Sequence, residues 1–251
     1  MRTRVIPCLT LWEGGLVKTT RFRDRAYIGD PLNAMRIFNE KEVDELVVLD
    51  ISASALGNRP DFALIEEIAR EAFMPVGYGG GIGSVEDAAR IIDIGVEKVV
   101  VNTAAQEQPH LISGLARRFG SQSVVGSIDV AGRVGGGWEV LQGRARRASG
   151  LDPKIVARRM ADCGAGEILL ASVDRDGTRE GYDLDLIRHV TQAVDVPVIT
   201  VGGAGQIDDF ARAVGAGASA VAAGAFFVYH GPHRAVLLSY PERNVLEAVL
   251  P

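Results

Sequence analysis

"MPVGYGGGIGSVEDAARIIDIGVEKVV" (residues 74–100) and "VPVITVGGAGQIDDFARAVGAGASAVA" (residues 196–222) are one phrase written twice. Each opens on a short apolar run, passes through paired glycines and continues with apolar residues at helical spacing, which reads as strand, turn, helix. Gly80 and Gly81 fall on Gly202 and Gly203 at an offset of 122, and at that offset Glu45 falls on Glu167 and Asn102 on Gly224. Self-similarity of this length marks two fused copies of one unit.

Outward from this pair, the same alternation fills the chain. The apolar runs are Val5–Leu9, Leu46–Asp50, Val76–Tyr78, Val99–Val101, Val124–Asp129, Ile168–Ala171, Val198–Val201 and Val221–Ala223, which makes eight. Amphipathic segments such as "PLNAMRIFNEKEV", "DFALIEEIAREAF" and "LDLIRHVTQAV" lie between them, each able to cover one outer face. Eight βα units predict an α/β (β/α)8 TIM barrel. One domain over 1–251 is expected, with half-barrels of about 1–120 and 121–251.

Composition narrows the function. Apolar residues make up 47%, enough for a large core, and the net charge of −5 provides no basic field for nucleic acid. No apolar run approaches the ~18 residues of a membrane span, and "MRTRVIP" lacks a signal-peptide core. The expectation is a cytoplasmic chain without nucleic-acid or membrane partners. Cys8 and Cys163 form no disulfide or metal spacing and read as small core residues. His230 and His233 in "HGPH" have no third ligand in view, and "DRDG" lacks the alternating set of a calcium loop. No metal or cofactor is expected.

Two anion seats are predicted at the rim where the strands end. "YGGGIGS" and "VGGAGQ" each join a strand to a helix, so glycine backbone and helix N–H groups could meet a phosphate. Asn102 and Thr103 in "VNTAA" would complete the first seat with Gly80 and Gly81. Gly224 and Ala225 in "AAGAF", with backbone donors from Asp176 and Gly177 in "DRDGT", would complete the second with Gly202 and Gly203. A ligand with two phosphates would span them. Arg4, Glu45, Lys98 and Glu167 stand at the opposite ends of strands one, two, four and six, where they would ring the barrel floor.

Taken in order, "IPCL", "DELVVLDISAS", "GGGI", "VEKVVVNTAA", "FGSQSVVGSID", "GAGEILLASVDRDGTREGYD" and "VGGAG" carry a specific resemblance. The chain resembles the HisF family, the cyclase subunit of imidazole glycerol phosphate synthase, over essentially its full length. The resemblance implies a separate HisH-like glutaminase at the N-terminal barrel face. Ammonia would pass from it through the barrel to a phosphate-bearing substrate. It also implies that Arg4, Glu45, Lys98 and Glu167 form an ammonia gate; the bland alternative is a stability network.

One departure changes the expected chemistry. The family uses two aspartates as acid and base, whereas here Asp129 stands alone and Thr10, its counterpart at an offset of 119, carries only a hydroxyl. Threonine does not titrate near neutrality, so imidazole ring closure is doubtful. Ala171 also lacks the hydroxyl that the family carries there. "YIGDPLNAMRIFNEKEVDEL", "FMPVGYGGGI" and "AFFVYHGPHRAVLLSYP" resemble the branch in bacterial surface-polysaccharide (O-antigen) clusters. That branch is associated with acetamido-to-acetamidino conversion of a sugar, which implies a nucleotide sugar whose diphosphate the two seats would hold, unless they stand partly unused, and a further ATP-dependent amide-activating protein. Histidine-pathway cyclase and non-catalytic conduit stay open as alternatives. Lys18 matches a lysine of the family's mobile loop and is grouped with Asp129 and Thr10 as a candidate catalytic residue that either meets ligand phosphate or is solvated; "GRARR" (143–147) reads as a solvated face.

Overall fold

The computed structural model describes residues 2–143 and 147–250. Eight parallel strands form the barrel: β1 (Arg4–Trp12), β2 (Leu46–Asp50), β3 (Val76–Gly79), β4 (Lys98–Val101), β5 (Val124–Gly132), β6 (Glu167–Ser172), β7 (Val198–Val201) and β8 (Ala220–Ala223). Each pairs with the next, and β8 returns to β1 with Arg4 opposite Ala220, so the sheet has no open edge. All eight predicted strands are present, and the (β/α)8 barrel expected from the alternation is the fold.

Seven outer helices of eight to ten residues follow β1 to β7 in turn: α1 (Pro31–Glu40), α2 (Phe62–Glu71), α3 (Val85–Ile94), α4 (His110–Phe119), α5 (Pro153–Asp162), α6 (Leu184–Thr191) and α7 (Asp208–Gly215). A shorter one, α8 (Arg243–Glu247), follows β8. Their starts are set locally. Asp30, Asp61, Ser84, Asp152 and Asp183 each accept a backbone N–H from the first turn, the usual work of an N-cap.

Alternation divides the side chains between two cores. On β1, Val5, Leu9 and Leu11 join the layer between sheet and helices, while Ile6 and Cys8 point into the barrel. Val47, Val100, Val125, Leu169, Ile199, Ala220 and Ala222 fill the rest of that shaft, with none more than 4% exposed. The outer layer is anchored near α7 by Phe210, fully buried against Tyr182, Phe226 and Phe227. Strand pairing also repeats along the chain. Thr10 lies opposite Leu49 and Asp129 opposite Ala171, and each of β1 and β5 runs past the rim into an antiparallel hairpin, Gly15–Thr20 with Arg23–Gly29 and Trp138–Gln142 with Arg147–Ala148.

Truncating Phe210 to alanine removes the centre of this aromatic cluster. The expected loss is about 3–5 kcal/mol of unfolding free energy, read from urea denaturation, with unchanged far-UV circular dichroism at 25 °C.

Candidate active site

The same two-residue period that sorts the core stacks polar residues above and below the shaft. Arg4, Ile6, Cys8 and Thr10 alternate along the inward face of β1. Lys98 and Val100 do so on β4, as do Glu167, Leu169 and Ala171 on β6. At the floor, Arg4 donates to both Glu45 and Glu167, and Lys98 Nζ lies 3.0 Å from a carboxylate oxygen of each. Cation and anion therefore alternate around a closed ring. Glu45 is only 3% exposed and Lys98 13%, so neither could stand there uncompensated. Burial works against the Arg4 charge, yet the two glutamates raise its pKa above the ordinary arginine value.

At the other end of the shaft a cavity of about 340 Å³ opens at the C-terminal ends of the strands. Thr10, Lys18, Asp129, Gly80, Gly81, Asn102, Thr103, Asp176, Gly177, Gly202, Gly203, Gly224 and Ala225 all line it. The rim residues singled out from the sequence therefore share one mouth, and the four floor residues share one ring. Glycine is required where the backbone approaches closely: a Cβ on Gly80 (φ +131°) would stand 2.4 Å from Asp50 O, and one on Gly203 (φ +115°) 2.2 Å from Gly181 O.

Three expectations need correction. Lys18 is not a solvated loop lysine: it is 7% exposed, lies in the Gly15–Thr20 strand and reaches Asp176 Oδ1 at 2.7 Å. Thr19 Oγ1 donates to Asp176 Oδ2 at 2.6 Å, and the Phe22 N–H donates to the same oxygen at 3.2 Å. Second, the Asp176 N–H is not available to a ligand, because it donates within its own loop to Ser172 O and Val173 O. Third, several N–H groups at and just before the starts of α3 and α7 are already taken. Asp87 accepts from Gly83 N, Ser84 accepts from Asp87 N, and Asp209 accepts from Gly205 N and Gln206 N. The one-turn helices Thr103–Glu107 and Ala225–Val228, which also begin at the cavity, carry no side-chain cap, and neither does α7. Residues 144–146 of "GRARR" lie outside the described residues; Arg147 is exposed.

A family model described as "Histidine biosynthesis protein" matches residues 4–233. A Pseudomonas aeruginosa protein with the provisional name imidazole glycerol phosphate synthase subunit hisF2 is 51% identical, over 98% of this chain and 99% of its own. A Leptospira interrogans protein, provisionally named imidazole glycerol phosphate synthase subunit HisF, is 47% identical over 99% of both. The imidazole glycerol phosphate synthase subunit HisF of Alkaliphilus metalliredigens is 43% identical over 90% of both. This chain belongs to the HisF family.

Within this HisF-family barrel the corresponding strand-end residues Thr10 and Asp129 differ. Thr10 donates its hydroxyl proton to Val17 O across the β1 hairpin, a bond that ties it to the backbone. Asp129 lines the cavity and brings the only carboxylate of the pair. Cys8 also touches the cavity, but burial pushes its thiol up to about 12, so it is protonated at neutral pH and no nucleophile.

Sequence reasoning missed Asp87 and Asp209, both 4% exposed. Desolvation pushes the Asp87 carboxyl up, but Arg59, the Gly83 N–H and Ser84 together hold it below the usual range. The signal was present, since "VED" and "IDD" occupy matching places in the duplicated phrase. Ser127 and Arg179, which line the cavity, carried no comparable mark.

Replacing Lys98 by methionine leaves Glu45 and Glu167 to share Arg4 alone, a net negative charge at the floor. The expected cost is about 3–5 kcal/mol in urea unfolding, with a much smaller loss for Lys98→Arg. Asp176→Asn removes the charge that holds the β1 hairpin, and trypsin should then cut at Arg21–Arg25 at least several-fold faster than in the parent protein.

Proposed function

We propose that this chain is the synthase subunit of a two-component glutamine amidotransferase, taking ammonia through the barrel and adding it to a phosphate-bearing substrate at the rim. The observation that carries this reading is the vertical order of one structure: a closed charged ring, an apolar shaft and a polar cavity. Neutral ammonia can cross an apolar shaft that disfavours ions and water, and a ring of two cations and two anions can part and re-form without leaving a net charge. Arg4, Glu45, Lys98 and Glu167 are the gate in this reading. A HisH-like glutaminase sits beneath it.

At the rim, the backbone around Gly80, Gly81, Gly202, Gly203 and Gly177, with the uncapped starts at Thr103 and Ala225, binds phosphate oxygens, and the Asn102 amide assists. The chemistry that best suits Asp129 without a second aspartate at Thr10 is amidine formation. An ATP-dependent partner first converts a sugar acetamido oxygen into a leaving group. Ammonia then attacks the amide carbon, Asp129 takes a proton from the attacking nitrogen, and the activated oxygen departs as the acetamidino group forms. Thr10, tied to Val17 O, packs the site rather than transferring protons. This is the acetamido-to-acetamidino reading, set in surface-polysaccharide synthesis.

The second reading is the histidine-pathway cyclase, favoured by the names that the relatives carry. Complementation of a histidine auxotroph lacking its own cyclase separates the two; growth without histidine would overturn the acetamidino assignment. Asp129→Asn addresses catalysis itself. In a system reconstituted with glutaminase and activating protein, amidine formation should fall by about 10²–10⁴-fold, while glutamine hydrolysis continues. Undiminished amidine formation would leave this chain only the role of conduit.

A further inference from the structure

Asn102 lines the cavity immediately before the one-turn helix Thr103–Glu107, a place where asparagine ordinarily turns its oxygen to a first-turn N–H. It makes no such bond. Its Oδ1 instead accepts from Gln106 Nε2 at 2.6 Å, and the backbone holds the two residues together, because the Gln106 N–H donates to Asn102 O at 3.0 Å. Among the described residues the Asn102 NH2 group donates to no protein acceptor. The direction of the bond between the two amides is set from behind. Gln106 Oε1 is buried and has no partner among the described residues. A small void beside Gln106 is lined by Pro109, Ile112, Val156 and Met160, with Gln142 and Arg159 as its polar members. A guanidinium can only donate, so the Arg159 side favours the Gln106 oxygen, and the Gln106 nitrogen turns to Asn102. The reverse order would point an NH2 group at that guanidinium side.

We propose that Gln106 is a positioning residue of the anion site: by holding the Asn102 oxygen, it presents the Asn102 NH2 group to the ligand. The inference rests on the reading of the cavity as a phosphate site and adds the residue that gives the Asn102 side of the first seat its sign. A carboxamide carries one acceptor oxygen and one donor NH2 group, so committing the first leaves the second. An Asn102 oxygen turned to the cavity would set lone pairs against the lone pairs of a phosphate. The NH2 group offers a charge-assisted hydrogen bond in the same place. Gln106 itself is not part of the cavity wall, so its effect on a ligand passes through Asn102.

The test titrates inorganic phosphate into the full-length, isotope-labelled protein at neutral pH and follows the Thr103 backbone amide by NMR, which reports the first seat. Asn102→Ala should weaken phosphate about tenfold, the loss of one hydrogen bond to a charged group. Gln106→Glu, whose carboxylate only accepts, turns the Asn102 amide around and should cost at least as much. In the Asn102→Ala background the same Gln106→Glu change should alter affinity by less than about twofold, because no amide is left for it to orient. A second readout is the Asn102 side-chain NH2 resonance, identified by its loss in Asn102→Ala. Phosphate should shift it in the parent protein and much less in Gln106→Glu. If Gln106→Glu weakens phosphate equally with and without Asn102, it acts by charge or by disturbing the short helix, and the positioning role is overturned. If Asn102→Ala or Gln106→Glu alone leaves affinity unchanged, the proposal is overturned while the seat stands on its backbone donors. If the parent protein binds no phosphate, the phosphate reading falls and the proposal falls with it.

Discussion

In a closed parallel barrel every strand residue has only two places to go, the shaft or the layer under the helices. That restriction organises the rest of the molecule. Along β1 it sets Arg4, Ile6, Cys8 and Thr10 on the inner face, and along β6 Glu167, Leu169 and Ala171. Four residues of alternating charge meet at the floor because β1, β2, β4 and β6 each bring one inward position there. A slip of one residue in any of these strands would turn its charge into the outer hydrophobic layer, so the ring and the register support each other.

The rim obeys a different economy, since loops there escape the period of the strands. The β1 hairpin does not hang free over the mouth: Lys18, Thr19 and the Phe22 N–H all converge on the Asp176 carboxylate. Lys18 reaches it past Gly224, where a Cβ would stand 3.1 Å from the lysine Cε. A cation that a phosphate could have attracted is therefore already matched inside the protein. On the proposed reading, backbone groups and the uncapped short helices are then the main anion donors of the cavity. The duplicated Asp87 and Asp209 act in the same sense, accepting N–H groups just before α3 and α7.

Much of the architecture was legible in the residues. Strands and helices follow from local periodicity and caps, and the phrase repeated at residues 74–100 and 196–222 marks where the βα units recur. The rim and floor residues were also legible, because strand ends in a barrel lie at known faces. What the residues left open was whether side chains occupy the N–H groups before α3 and α7 and whether Lys18 meets ligand or solvent. Both depend on which side chain arrives from elsewhere, and no local pattern encodes that arrival.

The sequence by itself determined the barrel, the set of residues at each of its ends and the replacement of one expected carboxylate by Thr10, since these depend on composition and spacing along the chain. Only the tertiary structure decided their pairings. Lys18 and Asp176 are 158 positions apart and Arg4 and Glu167 163, yet each pair is in contact. Coulombic and hydrogen-bond energies depend on separation in space and on the water excluded around it, and those are set only when the strands close.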